Sequence, residues 1–305
     1  MATDYIIFIH GLNTRDEGVQ PNYADEMTQM LKQHLEPNRT VRFVPLYWGD
    51  IGEKADDRLL KQIQKSPVWD RVWFRKFREG PMLRFVGDAA LYISRHMGSA
   101  VIKAISEQAI QALTKCNAKE DRLHLVTHSW GTIILFDALF SDRWDEEDAP
   151  GHAFIETVRN AIFGMGSNRH EGIRLASVYT MGSPIVLFYL MNVDGSTHDI
   201  TPHLEELLSR LKEERGGKKL RWCNFVNPGD PIAFPIAPLL PDLVDSSGEF
   251  IEVEDIITRN TSLLFRLISQ NPLALVQGGT AHDSYWHSQA VAKKIAEVII
   301  SSTSA

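Results

Sequence analysis

Between Arg122 and Phe140 a strand-like run, Arg122-Leu123-His124-Leu125-Val126, passes within four residues into a helix that reads as buried, Gly131-Thr132-Ile133-Ile134-Leu135-Phe136-Asp137-Ala138-Leu139-Phe140. Strands that lose the polar–apolar alternation are covered on both faces, which is the condition of a parallel sheet between helical layers. The same pattern opens the chain. Tyr5-Ile6-Ile7-Phe8-Ile9 is a continuous apolar run ended by His10-Gly11. Tyr23 to Leu35 carries Met27, Met30, Leu31 and Leu35 at helical spacing, and Thr40 to Trp48 returns to strand content. Strand, helix, strand at this spacing predicts a βαβ unit and an α/β fold with a mostly parallel central sheet. Ile173 to Met181 and Leu220 to Val226 are further strands, and Ser288 to Ile300 has the spacing of a helix docked on the sheet.

A single domain, 1–305, with helical insertions accounts for this order better than two domains. Residues 51–119 form a mainly helical insertion with an aromatic patch (Trp69, Trp73, Phe74, Phe77) and then a small-residue helix from Met82 to Leu113. His203 to Arg215 reads as a charged amphipathic helix. Residues 242–277 are a candidate cap or lid segment; within it the apolar stretch Ser262 to Val276 reads as core or as a lid over a pocket, the balance towards core. Net charge is -7, so a nucleic-acid partner, which needs a basic face, is not expected. Cys116 and Cys223 are too few and too far apart for a disulfide scaffold, and Met1 runs into the first strand without a leader pattern, so a soluble cytoplasmic protein is expected. No run approaches the ~18 to 20 apolar residues of a membrane span, although peripheral membrane contact through an apolar lid stays open.

The chemistry concentrates in Leu123-His124-Leu125-Val126-Thr127-His128-Ser129-Trp130-Gly131-Thr132. A strand, a tight turn with serine at its centre and a helix make the layout of a nucleophile elbow, usually G-x-S-x-G. The turn needs small residues two before and two after the serine, and Thr127 departs from the first glycine. The plainer alternative is an ordinary turn with a helix-capping serine. His10-Gly11-Leu12-Asn13 follows the first strand, where an H-G pair opens the loop of an oxyanion hole. By that pattern Leu12 and Trp130 supply the two backbone amides. A serine nucleophile needs a base and an acid in the order Ser, Asp, His. Asp230, in Asn227-Pro228-Gly229-Asp230-Pro231-Ile232, stands on a turn after a strand; Asp242 and Asp245 are its rivals. The base is His282, with His287 as the rival, both ahead of the last helix. His124 and His128 read as structural. His10, His128 and His282 are candidates to converge on a metal, but no metal-ligand spacing supports it, and the chemistry calls for no cofactor.

With these pieces in this order the sequence resembles the α/β-hydrolase superfamily of serine hydrolases, lipase- and esterase-like, across nearly its whole length. Locally it is similar to the DDHD-type intracellular phospholipases. That likeness rests on Pro45-Leu46-Tyr47-Trp48-Gly49-Asp50, His128-Ser129-Trp130-Gly131, Gly182-Ser183-Pro184, Asp230-Pro231-Ile232-Ala233 and His282-Asp283-Ser284-Tyr285-Trp286. The resemblance implies hydrolysis of carboxylic esters, including lipid or phospholipid esters, by a Ser129-Asp230-His282 triad through an acyl-enzyme. A catalytically inactive hydrolase-fold scaffold, or an acyltransferase or thioesterase on the same triad, is the alternative. The aromatic insertion and Leu263 to Ile268 are candidate linings of an acyl pocket.

Overall fold

The computed structural model describes residues 2–12, 14, 21–51, 53–79, 92–163, 173–186, 201, 204–258 and 278–302. In chain order the elements are β1 (Thr3–Ile9), α1 (Asp25–His34), β2 (Thr40–Leu46), α2 (Glu53–Ile63), α3 (Arg95–Leu113), β3 (Arg122–His128), α4 (Trp130–Phe140), α5 (His152–Phe163), β4 (Arg174–Met181), α6 (Leu204–Glu214), β5 (Leu220–Val226), α7 (Leu240–Val244), β6 (Ile251–Ile257), α8 (Gly278–Asp283) and α9 (Gln289–Ser301). Short helical turns lie at Trp69–Arg71, Arg75–Phe77, Asp142–Trp144 and Ser284–His287.

Among the described residues six strands form one sheet in the order β2-β1-β3-β4-β5-β6, and every neighbouring pair is parallel. This is the α/β architecture with a parallel central sheet that the sequence pattern predicts. Both faces are covered. Ile6, Phe8, Val126, Tyr179 and Phe225 pack with α1 and α9 on one side, while Tyr5, Ile7, Ile9, Leu125, Val178 and Trp222 pack with α3 to α7 on the other. That two-sided burial is why the central strands read as continuous apolar runs. The helix expected from Met82 is described from Arg95, and α3 lies against the sheet with Val101, Ile102 and Ile105 in the core. In α6, Leu207, Leu208 and Leu211 are buried, so its charged residues occupy the remaining face. Ser262 to Val276 lies outside the described residues. The candidate cap region 242–277 contains β6, a strand that the sequence reading did not identify.

The register places the site. Ile9 is level with Leu46 and Thr127, His128 with Met181, and Met181 with Phe225. The loops after β1, β3, β4 and β5 therefore leave the sheet along one edge. From β1 the chain steps outward to β2, then returns to β3 on the opposite side of β1. Loops diverge at such a reversal and open a crevice at the carboxyl ends of the strands.

Candidate active site

Ser129 stands between the end of β3 and the start of α4 in a conformation an L-residue seldom adopts, φ 54° and ψ -126°. Backbone strain of this kind costs of order 1–3 kcal/mol and persists only where neighbours enforce it. Its N–H donates to the Met181 carbonyl at 2.9 Å, and its own carbonyl accepts from the Thr132 N–H at 3.0 Å. Two glycines make the turn fit. A Cβ at Gly131 would lie 2.4 Å from the Ile9 carbonyl oxygen, and one at Gly11 would lie 2.5 Å from Ser129 Cβ. The His10-Gly11 backbone thus runs directly against the serine side chain and the first turn of α4.

Thr127 fits where the usual motif has glycine because its hydroxyl is paired. Thr127 Oγ1 lies 3.0 Å from Thr132 Oγ1, both side chains fully buried, and a second contact at 3.4 Å reaches the Tyr179 carbonyl. The β-branched residue is accommodated by a hydroxyl partner on the following helix.

The oxyanion-loop candidates are held by His10. Its Nδ1 lies 2.7 Å from the Gly11 carbonyl, a donation that leaves Nε2 to accept from the Trp48 N–H at 3.1 Å. The Trp48 indole N–H donates to the His10 carbonyl, and the two rings stack at 5.2 Å. In a trans peptide the carbonyl and the following N–H point opposite ways, so tying the Gly11 carbonyl to His10 turns the Leu12 N–H outward from that contact. The Trp130 N–H belongs to the first turn of α4, where helix amides have no intrahelical acceptor and the dipole favours negative charge. The Trp48 of the Pro45-to-Asp50 motif therefore serves the loop after β1.

Asp230 and His282 are brought together. His282 Nδ1 donates to Asp230 Oδ2 at 2.9 Å, and the Tyr285 hydroxyl donates to the same oxygen at 2.9 Å. Asp230 Oδ1 accepts from the Ile232 N–H at 3.0 Å, closing an Asx turn. Burial alone would raise the Asp230 carboxyl; the bonds from His282, Ile232 and Tyr285 outweigh it and hold the group below its ordinary value. Burial and the Asp230 charge push the Tyr285 phenol up, so it stays a donor. Gly182, at φ 59°, leaves the space: a Cβ there would lie 2.8 Å from Asp230 Oδ2 and 3.1 Å from His282 Cε1. Asn227 ties the two loops, its Nδ2 donating to Ser284 Oγ at 2.8 Å and its N–H to the Tyr285 hydroxyl at 2.8 Å.

His128, beside the serine, is turned into the same cluster. Its Nε2 lies 2.7 Å from the backbone carbonyl of His282, and its ring is 4.6 Å from the His282 ring and 5.6 Å from Trp286. The bonds of His282 run to Asp230 and His128, and none joins it to Ser129 Oγ in this conformation. Catalytic hydrogen bonds are often loose without substrate.

The rivals lie elsewhere. His287 pairs with Glu26 at the surface. Asp245 caps the turn into β6 through the N–H groups of Glu249, Phe250 and Ile251, and Asp242 lies on α7. Trp73 and Phe74, read as candidate pocket lining, stand at the surface, 80% and 73% exposed. An apolar cavity of about 290 Å³ lies on the face of the sheet covered by α3 to α5, and none of the site residues lines it. Among the described residues no group of three or more His, Cys, Asp or Glu side chains is arranged to hold a metal, and no helix is long and apolar enough to cross a membrane. Tyr285, Asn227, Trp48 and Thr132 were not assigned from sequence, although Trp48 and Tyr285 stand in the motifs that carried the resemblance.

No family model matches the chain, and no curated protein matches it. Among solved structures it is similar to an acetyl xylan esterase, 12% identical over 96% of this chain and 98% of that one, with a TM-score of 0.34. It is also similar to a structure from work on LipS and LipT, two metagenome-derived lipolytic enzymes, 12% identical over 90% and 93% with a TM-score of 0.33. Likeness at that level carries no argument; the fold stands on strand order and register, and the site on its own geometry.

Proposed function

We propose that the protein is a serine hydrolase of carboxylic esters, working by two-step acyl transfer. The observation that carries this reading is the hydrogen-bonded Asp230–His282 couple at the sheet edge that also bears the strained Ser129. Because a carboxylate only accepts, the proton of His282 sits on Nδ1 and its Nε2 is free to take the serine proton. Ser129 Oγ then attacks the ester carbonyl as its proton passes to His282. The amides of Leu12 and Trp130 receive the developing oxyanion, each such donor being worth ~3 kcal/mol. The imidazolium returns its proton to the leaving alcohol. Water, activated by the same imidazole, releases the acid and restores the serine. Asp230 keeps the tautomer, and Tyr285 steadies Asp230.

The finer substrate class is lipophilic, lipid or phospholipid esters. What supports it is the ordered set of motifs shared with DDHD-type phospholipases, each of which contributes a side chain or a glycine to this cluster. A fluorophosphonate probe with mass spectrometry of the adduct tests the chemistry. Labelling is expected on Ser129 and is expected to vanish in His282→Ala; a folded protein without an adduct would favour the inactive scaffold. An ester series of increasing chain length then tests the substrate class, with preference for short acyl groups counting against lipids.

A further inference from the structure

His128 stands next to the serine and outside the triad, yet, besides Asp230, it is a second side chain hydrogen-bonded to His282 itself. The base sits in α8, a helix of six residues, too short to keep its place by its own propensity. Its carbonyl belongs to the last turn, where helix C=O groups have no partner within the helix. His128 Nε2 reaches that carbonyl at 2.7 Å. A carbonyl only accepts, so the proton of a neutral His128 must be on Nε2. The ring is enclosed by His282, Tyr285 at 5.8 Å and Trp286 at 5.6 Å, so its orientation is fixed by packing as well as by the bond.

We infer that His128 is a positioning residue: it fastens the backbone of the base to the residue preceding the nucleophile, so that the distance between Ser129 and His282 is set by one side chain between adjacent anchors. The inference rests on the serine-hydrolase reading. Asp230 fixes the tautomer and tilt of the imidazole; His128 fixes where its backbone stands. Burial, with the neighbouring His282 adding to it, pushes the His128 pKa down to about 3, so the clamp is neutral at neutral pH.

The test compares wild type, His128→Phe and His128→Gln by steady-state hydrolysis of a p-nitrophenyl ester, and by the rate of fluorophosphonate labelling of Ser129. All are measured where melting curves find the protein folded. Loss of the donor is expected to lower kcat and the labelling rate on the order of 100-fold, the usual effect of about 1 Å of misplacement, with KM little changed. His128→Gln keeps an N–H donor at similar reach and is expected to recover most of that loss. The wild-type ring provides a check that needs no variant: nitrogen-15 shifts are expected to give the Nε2–H tautomer for His128. Wild-type rates in His128→Phe, equal losses in Phe and Gln variants that both fold, or an Nδ1–H tautomer would each overturn the clamp while leaving the triad standing. A wild-type protein that takes up no probe and hydrolyses no ester overturns the triad and the clamp together.

Discussion

The two ends of the parallel sheet carry the same three residue types. At the carboxyl edge are Asp230, His282 and Ser129. At the amino edge, His124 Nε2 lies 3.1 Å from Asp4 Oδ1, and His124 Nδ1 lies 2.7 Å from Ser177 Oγ. By hydrogen bonds alone the amino-edge set is the more complete, since there the serine is joined to its histidine. It lacks everything else. Asp4, His124 and Ser177 are fully buried, and Asp4 is clasped by Arg39 and by Arg122 at 2.7 Å. Ser177 lies within β4 and does not stand at a strained turn. Among the described residues, no helix begins beside it and no H-G loop crosses it. Connectivity builds a structural knot at one end. At the other stand a strained serine, a helix N-terminus and loops that leave the sheet in different directions. A triad is recognised by roles as well as by bonds.

The sharpest way to break this comparison is to neutralise each aspartate without changing its size. Asp230→Asn is expected to lower kcat about 10,000-fold by admitting the wrong imidazole tautomer, with a smaller fall in melting temperature than Asp4→Asn gives. Asp4→Asn is expected to do the opposite. It leaves Arg39 and Arg122 without their counter-charge in a buried site, which costs about 3–5 kcal/mol, while the folded fraction keeps its turnover. Ester hydrolysis and thermal melts on both variants decide the matter. If Asp4→Asn silenced a folded enzyme and Asp230→Asn did not, the roles of the two ends would be reversed.

The histidines sharpen the contrast through pH. His128 faces a carbonyl and its pKa is pushed down to about 3; His124 is also pushed down by burial, but the bond and charge of Asp4 oppose the shift. A histidine lowered in the native state stays neutral while the unfolded chain takes up a proton. Its contribution is therefore whole above about 6.5 and is lost as the pH falls below that. For His128 the loss runs down to about 3, at up to ~1.4 kcal/mol per pH unit. The carboxyls of Asp4 and Asp230 are held below their ordinary value, so their contribution is present above that value and disappears at lower pH than the histidine effect begins. Denaturant melts between pH 6.5 and 4.5 are expected to give a slope that becomes shallower in His128→Gln. An unchanged slope would mean that His128 takes up its proton in the folded protein.

What was legible from the sequence follows the same division. The central strands announced themselves because burial on both faces makes them continuous apolar runs. β6 did not: Ile251-Glu252-Val253-Glu254-Asp255-Ile256-Ile257 is an edge strand whose acids meet Arg221, Lys294 and the Asn224 amide. Charge on an edge reads as loop. Ser129, Asp230 and His282 could be nominated as candidates because each stands on a local signal, an elbow, a Pro-Gly turn, or a loop before the last helix. Tyr285 and His128 make their decisive contacts across 55 and 154 positions of chain, and no local pattern encodes such a pairing. From sequence alone His128 reads as structural.

Thr127 makes the finest distinction, because the sequence offered it as the weak point of the elbow. Its hydroxyl is buried and paired with Thr132 at 3.0 Å. Glycine, the usual residue, would remove that partner, leave the Thr132 hydroxyl to find another, and add backbone freedom to a strand. The two effects together amount to about 1–3 kcal/mol. Thr127→Gly is therefore expected to lower stability modestly and leave kcat within a few-fold, because no contact of Thr127 reaches Asp230 or His282. Thr127→Gly combined with Thr132→Ala removes both hydroxyls and is expected to recover part of the loss, as it strands no buried polar group. If the single change instead raised activity strongly, threonine would be restraining the elbow, and the carboxyl edge would owe less to its strained serine than the contrast with the amino edge implies.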